Sequence, residues 1–371
     1  MKPVLRTLGL LGAILCGTAA AAGRSETLRV IFIDVEGAAA TLFVTPQHHA
    51  LLIDAGWPAA LSGGSVAGAD MPPAPRQTSA QRIAAAARSA GVSRIDYLLL
   101  THYHTDHLGG ALELAGLIPI GTFVDHGPNR EPPSAEPPAN RRGYQAAELY
   151  AAYSAGIAGR PHRVMRPGET MSLDGLTVTA IDADGAIIDH ALAGAGGPGA
   201  GCPATAQTVD IGTDENPRSL GTVLQWGSGR ILALGDTTRV VEDKLACPRD
   251  LIGPVDLMIA DNHGSANAGS ARLLDTVRPS LYVFNNGAAK GADAGSLEFA
   301  AAAPYVQASW QLHFATRSPD LNAPYERIAN WGDQDGHALV AEVGRDGTIV
   351  MINTRTGLSR RYTRGERPKS R

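Results

Sequence analysis

Positive charge is in short supply in this sequence: 32 Lys and Arg stand against 36 Asp and Glu, a formal net charge of -4. Such a balance leaves no electrostatic footprint for nucleic acid, whose phosphates are gripped through Lys and Arg. Charged residues of both signs are also sparse, at 18% against a hydrophobic share of 44%, which excludes a disordered chain. The 371 residues are enough to bury a sizeable core. No stretch repeats, and no linker separates two self-sufficient halves.

Long apolar runs are missing too. The run from Leu8 to Leu15 is too short to span a bilayer as a helix. With Lys2 and Arg6 before it and the small residues Ala19 to Ala22 after it, it reads as a secretion signal cleaved near Ala22. Cys16 would suggest a lipoprotein, but Leu15 ahead of it is bulkier than such sites usually allow. The expectation is a periplasmic or secreted protein with no membrane contact after cleavage, its formal charge lowered from -4 to -6 by the loss of Lys2 and Arg6. Cysteine is scarce: of three, only Cys202 and Cys247 outlast the signal. Two cysteines in an exported chain predict one disulfide, on compartment rather than spacing. The alternatives are two separate thiols or soft metal ligation, and neither cysteine belongs to a ligand cluster.

Histidine, by contrast, is concentrated. Ile95 to Leu100 reads as a short buried strand. Directly after Thr101 come His102, His104, Asp106 and His107. Two histidines two apart in an extended loop point to one side and can grip one cation. Asp106 and His107 fall where the loop turns into a helix over 108–117, and so address a second position. Imidazole and carboxylate are zinc ligands, and a catalytic site keeps one position open. Caps for the following helix would not need three histidines and an aspartate in six residues.

Around this loop, strands are expected at 28–35, 41–45, 50–54, 121–125, 176–181, 255–260 and 280–284, with a helix over 79–90. Gly227 to Gly229 turn a hairpin of 221–226 and 230–234, and a second hairpin joins 337–343 to 348–353. Residues 58–78 and 130–142 read as Pro-rich loops, and 185–201 as a Gly-rich segment with little to fix its shape. Together, 130–142 and a helix at 144–157 would form a lid beside the site. Candidate site residues recur at strand ends. Asp34 either lines the site or caps a turn. His126, past the strand ending at Asp125, is a candidate third ligand of the first cation, with His162 and His190 as rivals. Asp236 follows the 230–234 strand. Asp261 and His263 follow the 255–260 strand. Asn286 and Lys290 follow the strand ending at Phe284, where Lys290 either neutralises an anionic substrate or is a solvated surface lysine.

The run from His102 to His107 resembles the HxHxDH signature of the metallo-β-lactamase superfamily. Residues 28–57, with Leu28 to Glu36 and Ala50 to Trp57, resemble the opening of the competence-protein branch, the hydrolase domain attached to DNA-uptake channels. The resemblance covers roughly residues 28–300. It implies a four-layer αββα sandwich with metals at one edge, Asp54 supporting the metal loop from behind, and Asp236 as a carboxylate bridging two cations. Asp261 to Ser265 resembles that branch's His-His-Gly-Ser element with Asn262 in place of the first histidine, which moves the ligand to His263. The implied centre is dinuclear zinc, with Mn2+ or Fe2+ as alternatives. His102, His104 and His126 would hold one cation; Asp106, His107 and His263 the other; Asp236 would lie between. Asp106 would act as a base if it were not a ligand. The implied activity is hydrolysis of an ester, lactone or phosphodiester in a small molecule. A nuclease, a weak β-lactamase and a non-catalytic binding protein remain the rivals. The domain is expected over 23–359, followed by a basic mobile tail from Arg360 to Arg371.

Overall fold

The computed structural model describes residues 26–61, 77–137, 142–203, 210–332 and 336–364. The expected signal segment lies outside them, as does most of the loop read at 58–78. In chain order the first six strands are β1 (Leu28–Phe32), β2 (Thr41–Val44), β3 (Ala50–Ile53), β4 (Ile95–Leu99), β5 (Ile120–Asp125) and β6 (His162–Val164). Next come β7 (Thr170–Leu173), β8 (Leu176–Ala183), β9 (Ala186–Ile187), β10 (Gly221–Trp226), β11 (Gly229–Ala233), β12 (Leu257–Ile259), β13 (Leu281–Phe284), β14 (Ala308–His313) and β15 (Ile328–Asn330). β16 (Leu339–Val343), β17 (Ile349–Asn353) and β18 (Ser359–Tyr362) close the chain. The described strands form two sheets. One runs β18-β17-β16-β1-β2-β3-β4-β5-β6; the other runs β15-β14-β13-β12-β11-β10-β8-β7, with β9 beside β8.

Alternation along each strand decides the layers. In β1, Leu28, Val30 and Phe32 enter the core between the sheets, packed with Leu224, Leu257 and Trp310 of the second sheet. Ile31 points the other way, into a cluster with Ile83, Ala87 and Leu114. Those residues belong to α1 (Ser79–Ser89) and α3 (Ala111–Leu117), which follows the one-turn α2 (Thr105–Leu108). α4 (Ala146–Gly156) joins the same layer through Tyr153. On the far face of the second sheet lie α5 (Arg239–Ala246), α6 (Ala271–Val277) and α7 (Ala294–Ala302), burying Leu245, Leu273 and Leu297. The result is helix, sheet, sheet, helix: an αββα sandwich. Because both faces of each sheet are covered, the central strands read as apolar runs rather than alternating ones.

Local signals set the element ends. Thr78 caps α1 in a reciprocal box with Gln81. The helix read over 108–117 begins only at Ala111, as α3, after Gly109 and Gly110, while α2 is a single turn that carries Asp106 and His107. β3, β4, β5 and β6 run parallel, as do β11 through β15. Parallel strands deliver their carboxyl ends to one edge, and in open sheets that edge is where ligands bind. Among the described residues, no helix is long and apolar enough to cross a membrane.

Three expectations are corrected here. The expected tail does not start at Arg360: β18 pairs with β17 through Tyr362, and Arg364 forks onto Asp256, while residues 365–371 lie outside the described residues. The Gly-rich 185–201 segment is fixed by β9, by backbone bonds to 248–251 and by the Cys202–Cys247 disulfide beside it. Helix α4 is no lid. Its Tyr153 is buried in the outer layer and its Tyr150 ring packs on Tyr103, behind the metal loop.

Candidate metal centre

The loop after β4 is held in place before any ligand is considered. Asp54, at the end of β3, adopts a left-handed φ of 62°. Its carboxylate accepts from the Thr101 amide at 2.8 Å, from the Thr101 hydroxyl at 2.9 and 3.0 Å, and from His107 Nδ1 at 2.7 Å. The second sheet is pressed against the same threonine. Gly235, at φ 62°, sits so close that a Cβ there would lie 2.7 Å from Thr101 Cβ. Only glycine satisfies both demands, and it sets Asp236 opposite His107.

Four groups converge. His107 Nε2 lies 3.2 Å from Asp236 Oδ1, 3.4 Å from Asp106 Oδ2 and 3.3 Å from His263 Nε2. His263 Nε2 lies 3.1 Å from Asp106 Oδ2 and 3.5 Å from Asp236 Oδ1. All four side chains are buried. On the other flank, His102 Nε2 faces His104 Nδ1 at 3.1 Å, with the His102 ring 4.1 Å from that of His107.

The converging nitrogens share a feature: each ring's other nitrogen has a partner behind it. His107 Nδ1 is on Asp54, and His263 Nδ1 donates to the Asn285 carbonyl at 2.8 Å. His102 Nδ1 is 3.1 Å from the Thr101 hydroxyl, and His104 Nε2 is 2.9 Å from Glu131. Partners of this kind fix tautomer and ring orientation in metal ligands. This donor set of imidazole and carboxylate suits divalent zinc, manganese or iron.

Electrostatics agree. Burial raises the Asp106 carboxyl, but Lys290 and His107 beside it hold it well below the usual range. Asp236 is likewise pulled far down, against its burial, by His107 and His263. His102 is pushed well below its ordinary value, first by burial and then by His107 and His104. His107 goes the other way: burial lowers it, yet Asp236, Asp54 and Asp106 raise it well above. The site is a pair of buried anions among imidazoles, with the Lys290 ammonium against one of them.

His126 is not brought to this cluster. The extended loop sends His102 and His104 to one side and Tyr103 to the other, and the His126 ring packs on Tyr103 at 4.6 Å. Its Nε2 is taken by the buried Glu215 at 3.0 Å. The rivals lie elsewhere too: His162 binds Asp125 at 2.8 Å, and His190 binds Asp189 on the surface. Asp34 is bound by His313 at 2.7 Å and Arg82 at 2.9 Å rather than lining the site. Asn286 is fully buried and spent on the backbone of Gly287 and His313, leaving nothing for a substrate; its neighbour Asn285 makes the contact to His263. Asp261 is buried, its carboxyl raised well above the usual range by burial and by Glu242 nearby, and it is not one of the four groups that converge. Asn262 and His263 both adopt left-handed backbone, φ 46° and 56°, a strained pair that aims His263 inward. Lys290 reaches the cluster, in contact with Asp106 and 3.0 Å from His263 Nε2.

Glu131, Glu215, Arg82 and His313 carry parts of this architecture that the sequence reading passed over. Glu131 lies in a Pro-rich loop and Glu215 two residues before Pro217, so neither stands out by pattern. The one available signal was a strand-end position for His313.

A profile of the metallo-beta-lactamase superfamily matches residues 34–280, more than half of the chain. The chain belongs to the metallo-β-lactamase superfamily. No curated protein sequence matches it. Solved structures that resemble it include the CmlA β-hydroxylase of Streptomyces venezuelae (E377D mutant: 15% identity, 70% of this chain, 46% of that one, TM-score 0.38). They also include the metallo-β-lactamase fold protein YhfI of Bacillus subtilis (12%, 70% and 85%, 0.36). A third is MEM-A1, a subclass B3 metallo-β-lactamase from a soil metagenome (17%, 77% and 76%, 0.31). The chain spans just under half the length of the CmlA structure. The matched region includes the loop from His102 to His107, whose His107 lies against Asp236 and His263 of the second sheet's loops.

Proposed function

We propose that this superfamily member is an exported hydrolase that works with two divalent cations, zinc first and manganese or iron as alternatives. Its substrate would be a small molecule bearing an ester, lactone or phosphodiester bond. The observation that carries this reading is the convergence of His107 Nε2 and His263 Nε2 on Asp106 and Asp236, with both rings fixed from behind. Asp106, His107, Asp236 and His263 would hold one cation. His102 Nε2 and His104 Nδ1 would hold the other, with Asp236 between. Bound there, such cations activate water near neutral pH and polarise a carbonyl or phosphoryl oxygen. The protein's own part is to orient. Asp54 and Asn285 lock the ligand tautomers, and Asp236 would lie between the two positions. Lys290, on the loop after β13, offers an ammonium to an anionic substrate oxygen. The N-terminal segment and the disulfide support export. The acidic balance speaks against a nuclease, and the full donor set speaks against a purely binding role.

The test is a substrate panel run with zinc-, manganese- and iron-loaded protein: p-nitrophenyl esters, a lactone, bis-p-nitrophenyl phosphate, nitrocefin and single-stranded DNA. Turnover of an ester, lactone or phosphodiester, abolished in Asp236→Ala, is the expected result. Turnover that survives Asp236→Ala, or cleavage of DNA alone, would contradict the reading.

A further inference from the structure

Lys290 occupies an unusual place for a surface-loop lysine. Its Nζ contacts Asp106 Oδ2 and lies 3.0 Å from His263 Nε2, two of the four donor atoms in the cluster. The His263 ring donates its Nδ1 hydrogen to Asn285, so the lone pair on Nε2 is what meets the ammonium. The same is true of the carboxylate oxygen. The lysine therefore uses the electron pairs that a cation would need.

The backbone beneath it is built to hold this pose. Gly287 closes a tight turn onto the Lys290 carbonyl at 2.9 Å, and Thr316 anchors the Ala288 carbonyl at 2.8 Å. Gly291, at φ 69°, is pressed so close to His263 that a Cβ would meet its carbonyl oxygen at 2.2 Å. The Trp57 ring flanks the ammonium at 5.1 Å. Yet the lysine side chain remains 28% exposed, so it has a way out that the four buried donors lack.

We infer that Lys290 is a built-in competitor for the cation at Asp106, His107, Asp236 and His263, so that this position is filled more weakly than the His102 and His104 side. The inference rests on the metal reading given above. An ammonium and a divalent cation cannot share one carboxylate oxygen without strong repulsion at this range. Filling the position thus requires Lys290 to swing out through its exposed side, where its charge becomes available to a substrate anion.

Zinc and cobalt(II) titrations of the metal-free protein, by calorimetry and by competition with a chromophoric chelator, test this without any activity assay. Wild type should bind two equivalents in unequal steps, the weaker at least tenfold below the tighter. Lys290→Met and Lys290→Gln should each tighten the weaker step by tenfold or more, while Lys290→Arg, which keeps the charge, should leave it near wild type. Two equal steps in wild type, no tightening in the neutral variants, or tightening in Lys290→Arg would each overturn the competitor role while leaving the metal reading intact. No cation bound by any of the four proteins would overturn the metal reading itself, and this inference with it.

Discussion

Asp54 and His107 meet through a 2.7 Å bond between Oδ2 and Nδ1, both groups buried, at the seam where β3 hands its strand end to the metal loop. That bond fixes which imidazole nitrogen carries the proton, and leaves Nε2 to face Asp106, Asp236 and His263. Asp54→Asn keeps the shape but can turn an amide donor toward Nδ1. We expect a loss in metal affinity of about 10- to 100-fold, as for other partners behind ligating histidines. Chelator competition on the purified variant checks it; unchanged affinity would remove Asp54 from this role.

Glu131 and His126 should part company. Glu131 holds His104 from behind but is partly exposed, so water can take over its bond. Glu131→Ala should weaken cation binding on the His102 and His104 side, by less than Asp54→Asn weakens its own. His126→Ala should leave metal content unchanged and lower thermal stability instead, because it removes the only donor among the described residues on one oxygen of the buried Glu215 carboxylate and leaves the Arg130 amide on the other. Elemental analysis and melting curves of the two variants separate these outcomes.

The Cys202–Cys247 bridge ties the segment after β9 to the end of α5, whose start follows Asp236 by three residues. Chain-entropy reasoning assigns a loop of this length roughly 3–4 kcal/mol. Reduction should lower the melting temperature of the oxidised protein, and a Cys202→Ser, Cys247→Ser double variant should melt with the reduced form. Alkylation without reductant, read by mass spectrometry, should label neither cysteine.

Asp34 and His313 join the two sheets, β1 to β14, with Arg82 on the same carboxylate. Burial opposes both charges, but Asp34 is drawn down to about 2 by His313 and Arg82, and His313 is raised by Asp34 above its ordinary 6.5. The histidine's stabilisation is therefore complete below about pH 6.5 and is lost as pH rises through its raised value. The aspartate's share is complete above about pH 3.8 and is lost as pH falls toward 2. Melting curves at pH 5.5 and 8.5 should show wild type losing more stability at high pH than His313→Gln does. Equal losses would remove the pair as a cause.

The sequence was most legible where one stretch carries both pattern and chemistry. Leu98 to His107 combines an apolar strand, a turn and four ligand-type side chains, and the structure places that loop at the sandwich edge. Both hairpins and the central strands could be read because covered sheets require apolar runs. What escaped were pairings made across the fold. His126 looks equivalent to His102 from its strand-end position; only the side on which Tyr103 points, and the presence of Glu215 some ninety residues later, separate them. The short strands β6, β7 and β15 have too few residues to show a period. β18 is charged, as suits an edge strand, and so reads as tail.

The central claim is that Asp106, His107, Asp236 and His263 bind a transition metal. Diffraction from crystals grown with saturating zinc, measured on both sides of the zinc absorption edge, tests it most directly. The account predicts an anomalous peak within bonding distance of His107 Nε2 and His263 Nε2 and between the two carboxylates. No peak there, or zinc only at the Asp34, Glu36 and His313 group, would contradict it.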